Sequence, residues 1–461
     1  MSILFRDVEI DGARVDVRVV GEYIAEIGRG LSIDSAELID GGAGALLPGL
    51  HDHHLHLLAL AATRRSVDCG PPSVTDLGAL ARALRAHAGS GWVRGTGYHE
   101  SVAGDLDRHV LDRLLPYRPV RVQHRSGALW ILNSVGVDTV SRVLDATADV
   151  ERDESGAPTG RLWRYDSRLR PALPADVPDL AQVGETLARY GITSVTDATP
   201  DLDDTAIGLL SSGHRSGALP QSITLLGADN TGTVGGGLSV GPRKLLLRDH
   251  DLPTFDQLAA AVAGAHSVGR AVAVHCVSRE SLLLSMVVFD GVGSIEGDRI
   301  EHAGIVPEGV AEWISRLGLR VVTQPGFLSA RGDDYLRDVA SDDLPYLYPY
   351  ASLLRAGVKV TPSSDAPHGP LDPWAVMRAA TDRTARSGAV LGPDECVTPM
   401  TALAGYLGTP GDPGGPPRHL ACGVRADLCL LGGPLRQALT RQDASWVRMV
   451  VIGGRIVVRD E

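Results

Sequence analysis

Apolar and polar residues alternate with a period of two at both ends of the chain. ILFRDVEIDG and ARVDVRVVGEYIAEIG fall near the start, and ADLCLLGG and WVRMVVIGGRIVV near the finish. That period predicts half-buried strands. Residues 1–48 and 419–461 are therefore expected to combine into one small β-sandwich domain. Between them, strand-like runs alternate with helical patterns. The runs are GALLPGLHDHH, GITSVTD, SITLLG, RKLLL, AVAVH, RIEH, RVVTQ and VKVTPSSD. One helix is expected between Thr254 and Gly269, where Thr254 and Gln257 have capping-box spacing and a glycine closes the segment. Strands alternating with helices in this way predict an α/β protein with a (β/α)8 TIM barrel over 49–418. A doubly wound open sheet is the other arrangement compatible with the rhythm. The first two strands are separated by far more residues than a simple crossover needs. That interval contains GWVRGTGYHE and RPVRVQHRSGALWILNS, so about 66–178 is expected to be a folded insertion.

Composition narrows the partners. The 461 residues carry a formal charge of −12 and are 44% apolar. No basic block appears, which argues against nucleic acid or an anionic membrane surface. The five cysteines have no CxxC spacing, so a disulfide scaffold is not expected and a reducing compartment is. The segment MSILFRDVEIDG lacks the basic flank and apolar run of a signal peptide. A soluble, cytoplasmic protein acting on a small-molecule substrate is the expectation, with a homodimer allowed.

The chemistry concentrates in LPGLHDHHLH. On a strand, Asp52, His54 and His56 share one face, while His51 and His53 share the other. Either histidine pair could hold one ion, and spacing does not choose between them. Other strands also end in candidate ligands: AVAVH at His275, RIEH at His302 and VKVTPSSD at Asp365, while RKLLL carries Lys244. In a parallel barrel all C-terminal strand ends lie on one face, where the active site is built. Imidazoles and a carboxylate together suit zinc or a similar divalent ion. Taken singly, each residue has a plainer reading. His275 would be a structural histidine, Glu301-His302 a surface pair, Asp365 a helix N-cap and Lys244 a solvated lysine. Their joint recurrence at strand ends favours a metal cage. Gly235-Gly236-Gly237 lacks the lysine and serine of a phosphate-binding loop. Ser363-Ser364 lacks a nucleophile elbow, and Cys276 is expected to pack.

PGLHDHHLH resembles the PGxxDxHxH signature of the amidohydrolase superfamily. GITSVTD, the Lys244 strand, VAVH, RIEHA and SDAP followed by DPW match its later motifs in order, and GVRADLCLL resembles its C-terminal G-x-x-ADLVVL. GWVRGTG and LWILNS are similar to the amidohydrolase-3 branch, which includes YtcJ-like proteins and N-substituted formamide deformylases. The resemblance implies that His54 and His56 are the paired ligands, that His275 and His302 are ligands on strands five and six, and that Asp365 is the strand-eight carboxylate. It also implies that Lys244 is a lysine that some binuclear members carboxylate. One or two divalent ions, zinc foremost, would activate water to hydrolyse a C–N bond in an amide, formamide or cyclic amide, with Asp365 taking the proton. The chain departs from the branch at Ala128, where a histidine is usual, and at Arg164, where a glutamate is usual. Deamination on the same metal barrel is the rival reading, and ammonia release would identify it. A non-catalytic, degenerate barrel is a third. No substrate-binding residue is identified.

Overall fold

The computed structural model describes residues 2–174, 178–229, 234 and 237–460; Gly235 and Gly236 of the glycine run lie outside these. The chain divides into two compact units, Met1–Leu58 with Leu180–Glu461, and Ala59–Asp179.

In the first unit, the strands that carry the candidate chemistry are β1 (Leu50–Leu55), β2 (Ile192–Asp197), β3 (Ser222–Leu225), β4 (Arg243–Leu245), β5 (Val272–Cys276), β6 (Arg299–His302), β7 (Arg320–Thr323) and β8 (Val360–Pro362). They form two parallel sheets. One runs β1-β2-β3 and continues into a short strand, Leu238–Val240, that the sequence pattern did not reveal. The other runs β4-β5-β6-β7-β8. Backbone bonds also join the two sheets. Lys244 N–H donates to Leu226 C=O at 3.1 Å, Asp365 N–H to His54 C=O at 2.8 Å, and His56 N–H to Ala366 C=O at 2.8 Å.

The composition of these strands explains their burial. Parallel strands covered on both faces read as continuous apolar runs, and β5, with Val272, Ala273, Val274 and Cys276 all buried, fits that description. In β1 all six positions are buried, although four of them are His51, Asp52, His53 and His54. Burying that many polar groups is costly unless each is paired, so β1 owes its place to the partners of its side chains. The expected helix is present as Phe255–His266, with both capping-box bonds between Thr254 and Gln257 and a left-handed Gly269 beyond its end.

The two termini form two further sheets in this unit. Ser2–Ile10, Ala13–Val20, Tyr23–Gly28 and Glu37–Asp40 make one, and Leu46–Pro48, Leu428–Leu431, Val447–Ile452 and Arg455–Arg459 make the other. A single apolar cluster unites them, including Phe5, Val17 and Ile24 from the first and Leu428, Met449 and Val451 from the second. Phe5 is fully buried there, and its truncation to alanine would cost about 3–5 kcal/mol.

The second unit has its own six-stranded sheet, which includes Val93–Tyr98, Val120–His124, Leu129–Leu132 and Pro158–Trp163. It also has its own core, with Leu80, Leu84, Leu111, Val122 and Ile131 fully buried. Among the described residues, no helix is long and apolar enough to cross a membrane.

Candidate metal centre

The period-two geometry of β1 separates its histidines. His51 turns to β2, its Nδ1 lying 2.7 Å from Ser194 Oγ and its Nε2 3.0 Å from Thr196 Oγ1. The His53 ring packs edge-on against His51, with centroids 4.3 Å apart. Both nitrogens of His51 are thus engaged by hydroxyls, whereas neither nitrogen of the buried His53 has a hydrogen-bond partner among the described residues. On the other face the His54 and His56 rings lie 5.5 Å apart, the His54 and His302 rings 4.9 Å apart, and the His302 and His275 rings 4.4 Å apart. Asp365 completes the group: its Oδ1 is 3.1 Å from His56 Nε2 and 3.5 Å from His54 Nε2. Potential ligand atoms of His54, His302 and Asp365 all fall within 4.8 Å of one another. Of the two pairs on β1, His54 and His56, the pair the resemblance implies, stand beside Asp365.

Several plainer readings are corrected. Glu301-His302 is not a surface pair, since both residues are buried. Asp365 does not cap the following helix, whose N-cap is Asp372. Lys244 is not solvated: it is 6% exposed and its Nζ has no hydrogen-bond partner among the described residues. Cys276 packs, as expected, with its Sγ 3.3 Å from Ser285 Oγ.

Backbone conformation aims the side chains. His302 has φ +73°, Ala303 +48° and Asp365 +50°. Positive φ is uncommon outside glycine and persists where surrounding structure enforces it, often at functional sites. At His302 it breaks the strand's alternation. Glu301 and His302 are consecutive, yet Glu301 contacts the His54 imidazole and His302 packs on the same ring.

A further set of residues orients the imidazoles. Glu301 accepts from His54 Nδ1 and is held in turn by Arg299 Nε at 2.5 Å. Gln324 Oε1 accepts from His302 Nδ1 at 2.7 Å, and the Gln324 amide donates to Val322 C=O and Ser363 Oγ. Thr199 Oγ1 lies 3.0 Å from His56 Nδ1. With Nδ1 carrying the proton, Nε2 of His54 and of His302 keeps its lone pair for an ion. Asp52 Oδ1 accepts from the N–H groups of His54 and Ser364, which ties β1 to the end of β8. The strand-end logic that selected His275 applies equally to Gln324, at the end of RVVTQ, and to Glu301. Thr199 and His368, just beyond strand ends, carried no such signal.

Electrostatics favour an ion-ready state. Burial keeps His54 and His302 below the usual histidine range and pushes His275 down to about 3, so these imidazoles are neutral at pH 7. Burial alone would raise Asp365, but the adjacent His54 and the hydrogen bond from His56 outweigh it and hold the carboxyl well below its ordinary range. Burial likewise lowers Lys244. Neutral imidazoles, an ionised carboxylate and an unpartnered buried amine make a donor set that fits a divalent cation.

The two positions that depart from the branch pattern are neighbours in the second unit, where Arg164 N–H donates to Ala128 C=O at 2.7 Å. Arg164 itself has φ +50°.

Similarity to known proteins agrees with this geometry. Over 489 residues the chain is 27% identical to an N-substituted formamide deformylase from Arthrobacter pascens, covering 90% of this chain and 89% of that one. It is 24% identical to the putative amidohydrolase YtcJ of Bacillus subtilis (strain 168), covering 92% and 91%. In fold it resembles the crystal structure of an uncharacterized metal-dependent hydrolase from Pyrococcus horikoshii OT3. The TM-score there is 0.73 at 20% sequence identity, with 94% of this chain and 97% of that chain covered. The profile of the amidohydrolase family matches residues 37–458, and with that match the chain is an enzyme of the amidohydrolase family.

Proposed function

We propose that this enzyme hydrolyses a C–N bond in an amide, formamide or cyclic amide, with one or two divalent ions, zinc foremost, at the His54–His302–Asp365 centre. The convergence of neutral, Nδ1-anchored imidazoles on one ionised carboxylate carries the reading. The N-substituted formamide deformylase among its relatives supports the bond type. His54, His56, His275, His302 and Asp365 would hold the cation. A bound divalent ion lowers the pKa of water and polarises a carbonyl. Asp365, ionised and adjacent to His54 and His56, accepts the proton of the attacking water and returns it to the departing nitrogen. Glu301 and Gln324 keep His54 and His302 in the ligating tautomer. Lys244, a buried amine held towards its neutral form, suits carboxylation by carbon dioxide; the resulting carbamate would offer two oxygens to a pair of ions.

The same reading assigns the architecture. β1 to β8 would close as a (β/α)8 barrel over 49–418, supported by the bonds from Asp365 to His54 and from His56 to Ala366. Residues 1–48 and 419–461 would be a β-sandwich domain, supported by their shared apolar cluster. About 66–178 would be the insertion.

The test is a panel of N-formyl, N-acyl and cyclic-amide compounds offered to zinc-reconstituted protein, with released amine and carboxylate measured. Amine and carboxylate in equal amounts are expected. Ammonia from an aminated heterocycle, with no amide hydrolysed, would overturn the reading in favour of deamination.

A further inference from the structure

One cation beside the candidate centre is not used by the chemistry above. Arg331 lies on the helix Gly326–Asp338, which begins where β7 ends. Its guanidinium stands 4.6 Å from the centroid of the Phe327 ring, and its Nη2 donates to His368 C=O at 2.7 Å. His368 follows Asp365 by three residues, and its ring lies 5.6 Å from the ring of His56. The turn is tightly seated. A Cβ on Gly369 would come within 2.3 Å of Ser364 C=O and 3.0 Å of the Phe327 ring. Arg331 is therefore held on a short, packed path from the metal ligands: His56, His368, then Arg331.

Two other arginines of this unit are engaged by acceptors. Arg279 meets Asp343. Arg383 donates to the carbonyls of Leu347, Tyr348 and Leu391. Arg331 has one carbonyl and one aromatic face as partners, and no carboxylate among the described residues. A guanidinium has five donors and a fork that fits a carboxylate. Phe327 and Tyr348, whose rings are 6.0 Å apart, are both buried in the apolar cluster next to Arg331.

We infer that Arg331 is a specificity residue that receives a carboxylate on the amine portion of the substrate, so that the enzyme acts on N-acylated amino acids, N-formyl amino acids among them. This rests on the C–N hydrolase reading and narrows it. An uncharged analogue would leave the guanidinium without its anion, which a site built around that contact rejects.

The test separates this inference from the reading beneath it. Zinc-loaded Asp365→Asn protein, disabled for turnover, is titrated by calorimetry with N-formyl-leucine and with its uncharged counterpart, N-formyl-leucinamide. The acid is expected to bind about tenfold more tightly or better, in keeping with a charge-assisted bond. Adding Arg331→Gln should bring the ratio close to one, and Arg331→Lys should keep part of it. Equal binding, no binding of either compound, or a preference that survives Arg331→Gln would overturn the inference. Should Arg331→Gln not fold, the salt dependence in the Asp365→Asn protein decides. A preference that shrinks with ionic strength supports the contact, and a salt-insensitive one contradicts it. If the parent enzyme binds the acid selectively but releases no formate, the hydrolase reading fails while the carboxylate subsite stands.

Discussion

Each of the two units holds histidines gathered around a carboxylate, and the two clusters differ in how the imidazoles are anchored. In the first, His54 and His302 give their Nδ1 protons to Glu301 and Gln324, so Nε2 is left as a lone pair. In the second, His99 and His124 share Glu100, with His124 Nε2 3.1 Å and His99 Nε2 3.7 Å from Glu100 Oε2. There the backbone N–H groups of Ser101 and Ser126 donate to Nδ1, each at 3.2 Å. A backbone amide can only donate, so Nδ1 must accept and the proton sits on Nε2. Those rings present N–H to the carboxylate and have no lone pair facing inward. Similar residues thus make a candidate metal site in one unit and a hydrogen-bonded cluster in the other. The group behind each ring decides which.

The difference can be broken at several levels. Removing ligands should have the largest effect: His54→Ala combined with His302→Ala is expected to abolish zinc retention by elemental analysis. His99→Ala with His124→Ala should keep the full metal content. Loss of metal from the second pair would mean that the clusters are not distinct. Next comes Asp365→Asn, which should retain metal yet lower kcat by about 10²–10⁴; a wild-type rate on a confirmed substrate would remove the base assignment. Glu301→Gln alters only the group behind His54. It should weaken zinc binding by about 10–100-fold, measured by competition with a chelator, whereas Glu100→Gln should leave zinc affinity unchanged.

The smallest effect is on stability. Burial lowers the folded-state pKa of His54, His275 and His302 below the ordinary histidine value of about 6.5. Below pH 6.5 the unfolded chain therefore binds more protons than the native one, so stability rises with pH in that range and falls on acidification. Metal-free protein should lose Tm progressively as pH drops from 6.5 towards 3. A Tm that holds constant or rises over that window would contradict the buried, neutral state of these rings.

Much of this was legible before the structure. His275, His302 and Asp365 stood out because a parallel sheet brings every strand end to one side, so a polar residue closing an apolar run becomes a site candidate, whereas Lys244 and the choice of His54 and His56 came from the resemblance to the amidohydrolase motifs. The helix Phe255–His266 was legible from its capping box. The supporting residues were less visible. Alternation would put the consecutive Glu301 and His302 on opposite faces, so the contact of both with the His54 ring, at the positive φ of His302, was not legible from the pattern. Gln324 closes RVVTQ and was open to the same strand-end logic, whereas Thr199 meets His56 across 143 residues of sequence that local pattern does not encode. The hydroxyls that engage His51, on Ser194 and Thr196, lie more than 140 residues away in sequence and were likewise invisible to local pattern.

The most direct measurement is anomalous diffraction at the zinc edge from crystals of the zinc-reconstituted enzyme. The expected result is a peak enclosed by His54, His302 and Asp365, with none between His99 and His124. A peak in the second cluster alone, or a zinc-loaded protein with no peak near His54, would contradict the central assignment.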